Sequence, residues 1–156
     1  MKLADLLNKD LIKVPLDKKN KEEVIGELID ILVENGKIKN RDAVVSAVME
    51  REKVMSTGVG DGVAIPHGKA EGVNDVVAAF GISQEEINFL SIDEKPVHLV
   101  FLLIASPDAT GPHLKALSRV SRLLNKKEFR AKLLYAKSSS DVLEMIREEE
   151  KIYFEI

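Results

Sequence analysis

At 156 residues, 45% apolar and 31% charged with a net charge of −3, the chain has the make-up of one soluble domain with room for a real core. That balance leaves no basic excess for nucleic acid or an anionic membrane surface, and the absence of cysteine excludes disulfides, thiolate zinc sites and thiol redox chemistry. The start, M-K-L-A-D-L-L-N, carries Asp5 and no long apolar stretch, so it does not read as a secretory signal. The longest apolar run, Leu99 to Ala105, is far short of the ~20 residues of a membrane helix, and the expected location is the cytoplasm.

In chain order, Leu3 to Leu7 predicts a short helix and Leu11 to Val14 a brief strand ending before Pro15. Asn20 then caps a helix with Glu23 at the capping-box position and Gly36 at its close. Val24, Ile25, Leu28, Ile29, Leu32 and Val33 give that helix one apolar face. Asn40 caps a second helix through Val44, Val45, Val48 and Met49 that runs out near Arg51 to Lys53. A glycine-rich loop and the short apolar run Val63 to Pro66 follow. Val76 to Ile82 and Val97 to Ala105 are apolar on successive residues, as interior strands covered on both faces require. Helices are expected over His113 to Leu124, Glu128 to Lys137, and Asp141 to Glu149 with Ser140 as cap. An edge strand is expected over Ile152 to Ile156. Continuous apolar strands among amphipathic helices predict a single α/β domain over residues 1–156, a central sheet with helices on both faces.

The stretch G-V-G-D-G-V-A-I-P-H-G, Gly58 to Gly68, carries the main chemical signal. Pro66 fixes its own φ and pushes Ile65 to an extended conformation, while Gly68 allows close approach or a turn with positive φ. His67 between them either ends a strand or is presented to a partner, and the constraint on both sides favours presentation. The glycines lack both G-x-x-x-x-G-K-[ST] and G-x-G-x-x-G, so they shape the approach to His67 rather than hold a nucleotide. His113 follows Gly111-Pro112 and shares a stripe with Leu117, Val120 and Leu124. It therefore sits inward at a helix N-terminus, where free amides favour an anion and the dipole keeps the ring neutral. The alternative is a histidine hydrogen-bonded in the core. If the strands before His67 and His113 are parallel, both rings lie over the same carboxyl edge of the sheet. His98, at the other end of its strand, reads as structural, and no spacing of histidines or carboxylates marks a metal site. Arg51, between Glu50 and Glu52, reads by itself as a solvated charge at a helix end. Thr57 bonds the backbone of its own turn or orients His67. Val54, Val59, Val63 and Ile65 are expected to form an apolar docking patch around His67.

The segment R-E-K-V-M-S-T-G-V-G-D-G-V-A-I-P-H-G-K, Arg51 to Lys69, resembles the signature of EIIA components of the phosphoenolpyruvate:sugar phosphotransferase system. The resemblance is to the fructose/mannitol class, which includes the nitrogen-regulatory EIIA proteins. P-V-H-L-V-F-L-L-I-A and H-L-K-A-L-S-R-V-S-R-L-L resemble its second signature, and the likeness spans essentially the whole chain. It implies a mixed sheet flanked by helices and a phosphohistidine phosphotransferase subunit. His67 would take phosphoryl from the carrier HPr, or from its nitrogen-branch paralogue, and hand it to an EIIB component. It further implies phosphate-stabilising roles for His113 and Arg51, with Thr57 and Gly68 in the phosphate pocket. The regulatory alternative has His67 phosphorylation controlling the binding of target proteins. No ATP, metal or bound cofactor is implied, because phosphoryl arrives on a protein.

Overall fold

The computed structural model describes residues 2–154. Helix α1 (Leu3–Leu6) leads through a 3₁₀ turn (Lys9–Leu11) into β1 (Ile12–Lys13), followed by α2 (Lys21–Glu34) and α3 (Arg41–Val54). Three short strands, β2 (Gly58–Gly60), β3 (Val63–Ala64) and β4 (His67–Lys69), precede the long β5 (Val76–Ile87) and β6 (Val97–Ala105). The chain closes with α4 (Thr110–Leu124), α5 (Lys127–Leu134) and α6 (Ser139–Phe154).

Helix α2 forms as its apolar period dictates. Val24, Ile25, Leu28, Ile29 and Leu32 are fully buried. The Asn20 side chain accepts the Glu23 amide at 3.0 Å while the Glu23 carboxylate meets the Asn20 side-chain amide, a reciprocal cap. Gly36, at φ +71°, ends the helix where a left-handed residue is needed.

The sheet runs β1-β5-β6-β3-β2, with β4 also on β6. It is mixed: β1 is parallel to β5, β5 antiparallel to β6, and β3 and β4 parallel to β6. Strands β3 and β4 follow β6 in one register, Val63 beside Leu99 and His67 beside Leu103. Pro66 interrupts them because it has no N–H to donate, yet its carbonyl still accepts the Leu103 amide at 3.0 Å. The two-residue turn Asp61-Gly62, both at positive φ, folds β2 back on β3. Helices α2 and α3 pack on each other and on β4 to β6; α1, α4, α5 and α6 form a second group against β1, β5 and β6. From Val76 to Ser83 every residue of β5 is buried, as a strand covered on both faces must be.

Several boundaries differ from expectation: β5 runs on to Ile87 rather than ending at Ile82, and α5 ends at Leu134 rather than Lys137. Helix α4 begins at Thr110, one turn before His113. The cap of α6 is Ser138, not Ser140: its hydroxyl takes the Asp141 amide at 3.1 Å. The expected edge strand is replaced by helix, since α6 continues through Phe154; residues 155–156 lie outside the described part. Within α6, Glu150, a charge that faces inward, prolongs the buried row Val142, Leu143, Ile146. Its carboxylate, 1% exposed, accepts the amides of Leu3 and Ala4 at 2.8 and 2.9 Å and the Arg119 Nε at 3.0 Å. One buried side chain thus ties α1, α4 and α6 together.

Replacing Glu150 by Ala leaves two buried amides and a part-buried guanidinium without this acceptor. The expected loss is about 2–4 kcal/mol of unfolding free energy, read as a lower midpoint in chemical denaturation.

Candidate active site between two histidines

Because β4 is parallel to β6, and α4 follows β6 through the short loop 106–109, the strand-to-helix geometry left open by the sequence resolves in one way. His67 and His113 meet over the same edge of the sheet, ring centroids 5.6 Å apart and planes at 72°. His67 belongs to β4 itself and is half-buried. Its Nδ1 lies 2.9 Å from the Ile65 carbonyl oxygen. A carbonyl only accepts, so Nδ1 carries a proton, and the tautomer this selects for the uncharged ring has its lone pair on Nε2. Gly68 acts through packing rather than positive φ. A Cβ there would stand 3.2 Å from the Val48 amide nitrogen and 3.3 Å from the Ala47 carbonyl carbon, so glycine lets β4 lie directly on α3.

His113 closes the first turn of α4, its amide bonded to the Ala109 carbonyl at 3.0 Å. It is 4% exposed, and its Nε2 is buried with no hydrogen-bond partner among the described residues. Burial pushes its pKa below the ordinary histidine value, helped by the nearby His67 and the Lys69 charge. A neutral ring with an unpartnered buried nitrogen, set edge-on to the His67 imidazole, is placed to meet a polar group that arrives between them.

The two rings open onto a cleft of about 420 Å³, lined also by Arg51, Gly68, Lys69, Thr110, Leu114 and Leu117. A larger hollow of about 820 Å³ between α2 and α3 is lined by Lys, Asp and Glu side chains and holds none of the histidines. Arg51 joins the cleft from the last turn of α3, where its Nη1 donates to the Met55 carbonyl at 2.8 Å. Lys69, two residues from His67 along β4, donates to the Thr110 hydroxyl at 3.1 Å. The sequence reading passed over Lys69 and Thr110. Alternation in a strand would have shown the first, since residues i and i+2 share a face.

Thr57 does not join the two histidines. It is 3% exposed, its hydroxyl and amide both bond the buried Glu52 carboxylate, and it does not line the cleft. The expected docking patch also divides. Val54 and Val59 are exposed, but Val63 and Ile65 are core residues at 3% and 5%. Of the exposed apolar residues, Leu114, at 62%, lines the cleft itself. His98 is structural, its Nδ1 3.0 Å from the Ser83 carbonyl. Among the described residues no group of three or more His, Asp or Glu is placed to hold a metal ion.

A family model described as "Phosphoenolpyruvate-dependent sugar phosphotransferase system, EIIA 2" matches residues 5–149. The chain belongs to this family. The fructose-specific EIIABC component of Bacillus subtilis (strain 168) is 41% identical over 151 residues, which is 97% of this chain and 24% of that protein. The chain thus spans about a quarter of that relative's length. The fructose-specific EIIA component of Haloferax volcanii is 37% identical over 139 residues, 89% of this chain and 90% of that one. The crystal structure of nitrogen regulatory protein IIA-Ntr from Neisseria meningitidis aligns with a TM-score of 0.85 at 32% identity, over 92% of this chain and 98% of the other. No helix of the described residues is long and apolar enough to cross a membrane.

For this EIIA chain the depressed His113 pKa links protonation to stability. The unfolded chain takes up the proton near the usual pKa of about 6.5, before the folded one does. The His113 contribution is therefore full above that pH and lost as pH falls from there through the folded pKa. An NMR titration is expected to place the His113 midpoint below that of a free histidine. His113→Gln is expected to flatten the acid side of the stability profile relative to wild type.

Proposed function

We propose that this EIIA protein is a phosphocarrier in which His67 Nε2 accepts a phosphoryl group from HPr or its nitrogen-branch paralogue. It then passes the group to an EIIB component, of fructose/mannitol type, in the cytoplasm. The observation that carries the reading is the pairing of the two rings: His67 holds its proton on Nδ1, toward Ile65, and His113 sets an unpartnered buried Nε2 beside it. The kinship with a fructose-specific protein named for joined A, B and C components supports EIIB as the acceptor.

In this reading the Nε2 lone pair attacks phosphorus as the bond to the carrier's protonated phosphoimidazole breaks, and that bond's electron pair stays on the carrier's nitrogen. The Nδ1–H remains on the Ile65 carbonyl, which faces the positive charge the His67 ring gains. Little covalent help is needed, because one phosphohistidine replaces another and positioning with charge neutralisation dominates. His113 donates as a neutral imidazole. Arg51 offers a planar fork for two oxygens, and Lys69 a compact charge from the strand that carries His67.

The similarity to a nitrogen regulatory structure over 92% of this chain favours a second reading as well. There, phosphorylation of His67 adds charge and acceptor oxygens at the mouth of the cleft, beside exposed Leu114, and partner binding follows the phosphorylation state.

Incubation with phosphoenolpyruvate, enzyme I and the carrier is expected to add one acid-labile phosphate per chain, read by mass spectrometry. His67→Ala should abolish labelling, whereas His113→Ala should still label but more slowly. Labelling that survives His67→Ala and is lost in His113→Ala would reverse the two roles. Lys69→Met is expected to slow transfer about tenfold, and Arg51→Lys to slow it through loss of the fork, both measured by quench-flow.

A further inference from the structure

Glu52 is one residue from Arg51 yet faces the opposite way, into the protein, and nothing in the phosphoryl-transfer scheme uses it. It is 6% exposed. Its counter-ion is Lys21, the first residue of α2, whose Nζ lies 2.8 Å from Oε2 and 5.0 Å from the centre of the Phe89 ring. A buried ion pair costs desolvation, and a hydrophobic pair of similar volume would serve stability as well or better. The carboxylate's further contacts point to a different use.

Both carboxylate oxygens accept the Thr57 amide, at 3.2 and 3.3 Å, and one accepts the Thr57 hydroxyl. The Thr57 carbonyl accepts the Ile65 amide at 3.0 Å. The Ile65 carbonyl accepts the proton on His67 Nδ1, at 2.9 Å. A continuous chain of charge-assisted and backbone hydrogen bonds therefore runs from the Lys21–Glu52 pair to the ring of His67. The last two links meet at Ile65: the amide held by Thr57 and the carbonyl offered to His67 flank its Cα, and the following Pro66 restricts the backbone between them to an extended conformation. Pro66 removes one remaining freedom by locking the next φ.

We infer that Glu52, charge-paired with Lys21, is a positioning residue for His67: through Thr57 it fixes the Ile65 carbonyl, and with it the tautomer that leaves Nε2 free. The inference rests on the reading of His67 as phosphoryl acceptor. Glu52 touches neither the cleft nor the phosphoryl group. It acts on the population of competent ring, since a His67 protonated on Nε2 has no lone pair where the carrier delivers phosphorus.

The test is ¹⁵N NMR of the histidine rings in the full chain, with the labelling rate measured on the same samples. Wild-type His67 should show a protonated Nδ1 and a bare Nε2. Glu52→Gln, which keeps volume and removes the charge, should raise the share of His67 protonated on Nε2. It should also lower the labelling rate by about tenfold or more, with the His113 signals unmoved. Glu150→Gln, at the other buried carboxylate, is the control: it should lose stability while leaving His67 tautomer and labelling rate as in wild type. A folded Glu52→Gln chain with wild-type His67 shifts overturns the proposal. If that variant fails to fold, Thr57→Val keeps the ion pair and the Thr57 amide bond and removes only the hydroxyl. It should show the same shift at smaller amplitude, and unchanged His67 shifts there overturn the proposal equally. A wild-type chain that takes no phosphate from the carrier would instead refute the acceptor reading while the ring shifts stood, so the two failures are distinct.

Discussion

The parallel pairing of residues 63–69 with β6 is the constraint on which the site depends. It fixes His67 opposite Leu103, two residues from the end of β6, and the chain needs only the loop 106–109 before α4 begins. Antiparallel pairing would have put His67 at the far edge, beside His98. Parallel pairing requires a crossover, but here β3 and β4 precede β6 and the intervening antiparallel β5 brings the chain back. A strand of two residues and another of three could not hold themselves. They are held by their register on the nine-residue β6, by the Asp61-Gly62 turn, and by α3 pressed on Gly68. The rigidity of His67 is thus borrowed from the central strand.

Two buried carboxylates organise the two helical groups, and they do it differently. Glu150 clasps the start of α1 and Arg119 of α4, which joins elements distant in sequence and leaves the histidines aside. Glu52 works where α3 gives way to β2, and its bonds lead toward His67. Each satisfies several donors at once, which is the condition under which a buried charge is tolerated.

The parts of the fold that the sequence made legible are those whose signals are local. Helix α2 carried its own caps and apolar stripe, and β5 and β6 carried unbroken apolar runs. The resemblance of Arg51 to Lys69 to a phosphotransferase signature located His67 and brought Arg51 to notice. Signals that failed depend on tertiary neighbours. Strand β4 escaped because Pro66 closes the apolar run at its fourth position, so His67 and Lys69 were not seen as one face. Val63 and Ile65 looked like surface anchors until α4 covered them, with Leu124 across the shallow hollow they share. Glu150 fell just beyond the expected helix, Asp141 to Glu149, because a buried charge looks, in sequence, like an exposed one. The Lys21–Glu52 pair joins residues 31 apart and has no periodic trace.

On the proposed phosphocarrier reading, the tethering of the two cations bears on how the site would let go of what it takes. Arg51 is bonded to the Met55 carbonyl and Lys69 to the Thr110 hydroxyl, so neither is a bare charge waiting for an anion. To serve a phosphoryl group each exchanges, or shares, a bond it already has, and the gain is the difference between the two. For a partly exposed hydrogen bond such a difference is on the order of 1 kcal/mol, far below that of a desolvated unpaired cation meeting phosphate. The buried His113 is neutral and adds a dipole rather than a charge. An acceptor that bound phosphoryl with several kcal/mol to spare would slow its departure by powers of ten. If His67 takes phosphoryl as proposed, modest, pre-engaged donors would keep the group close in free energy to its bound forms on donor and acceptor, which is the condition for passing it in one direction or the other as supply and demand require.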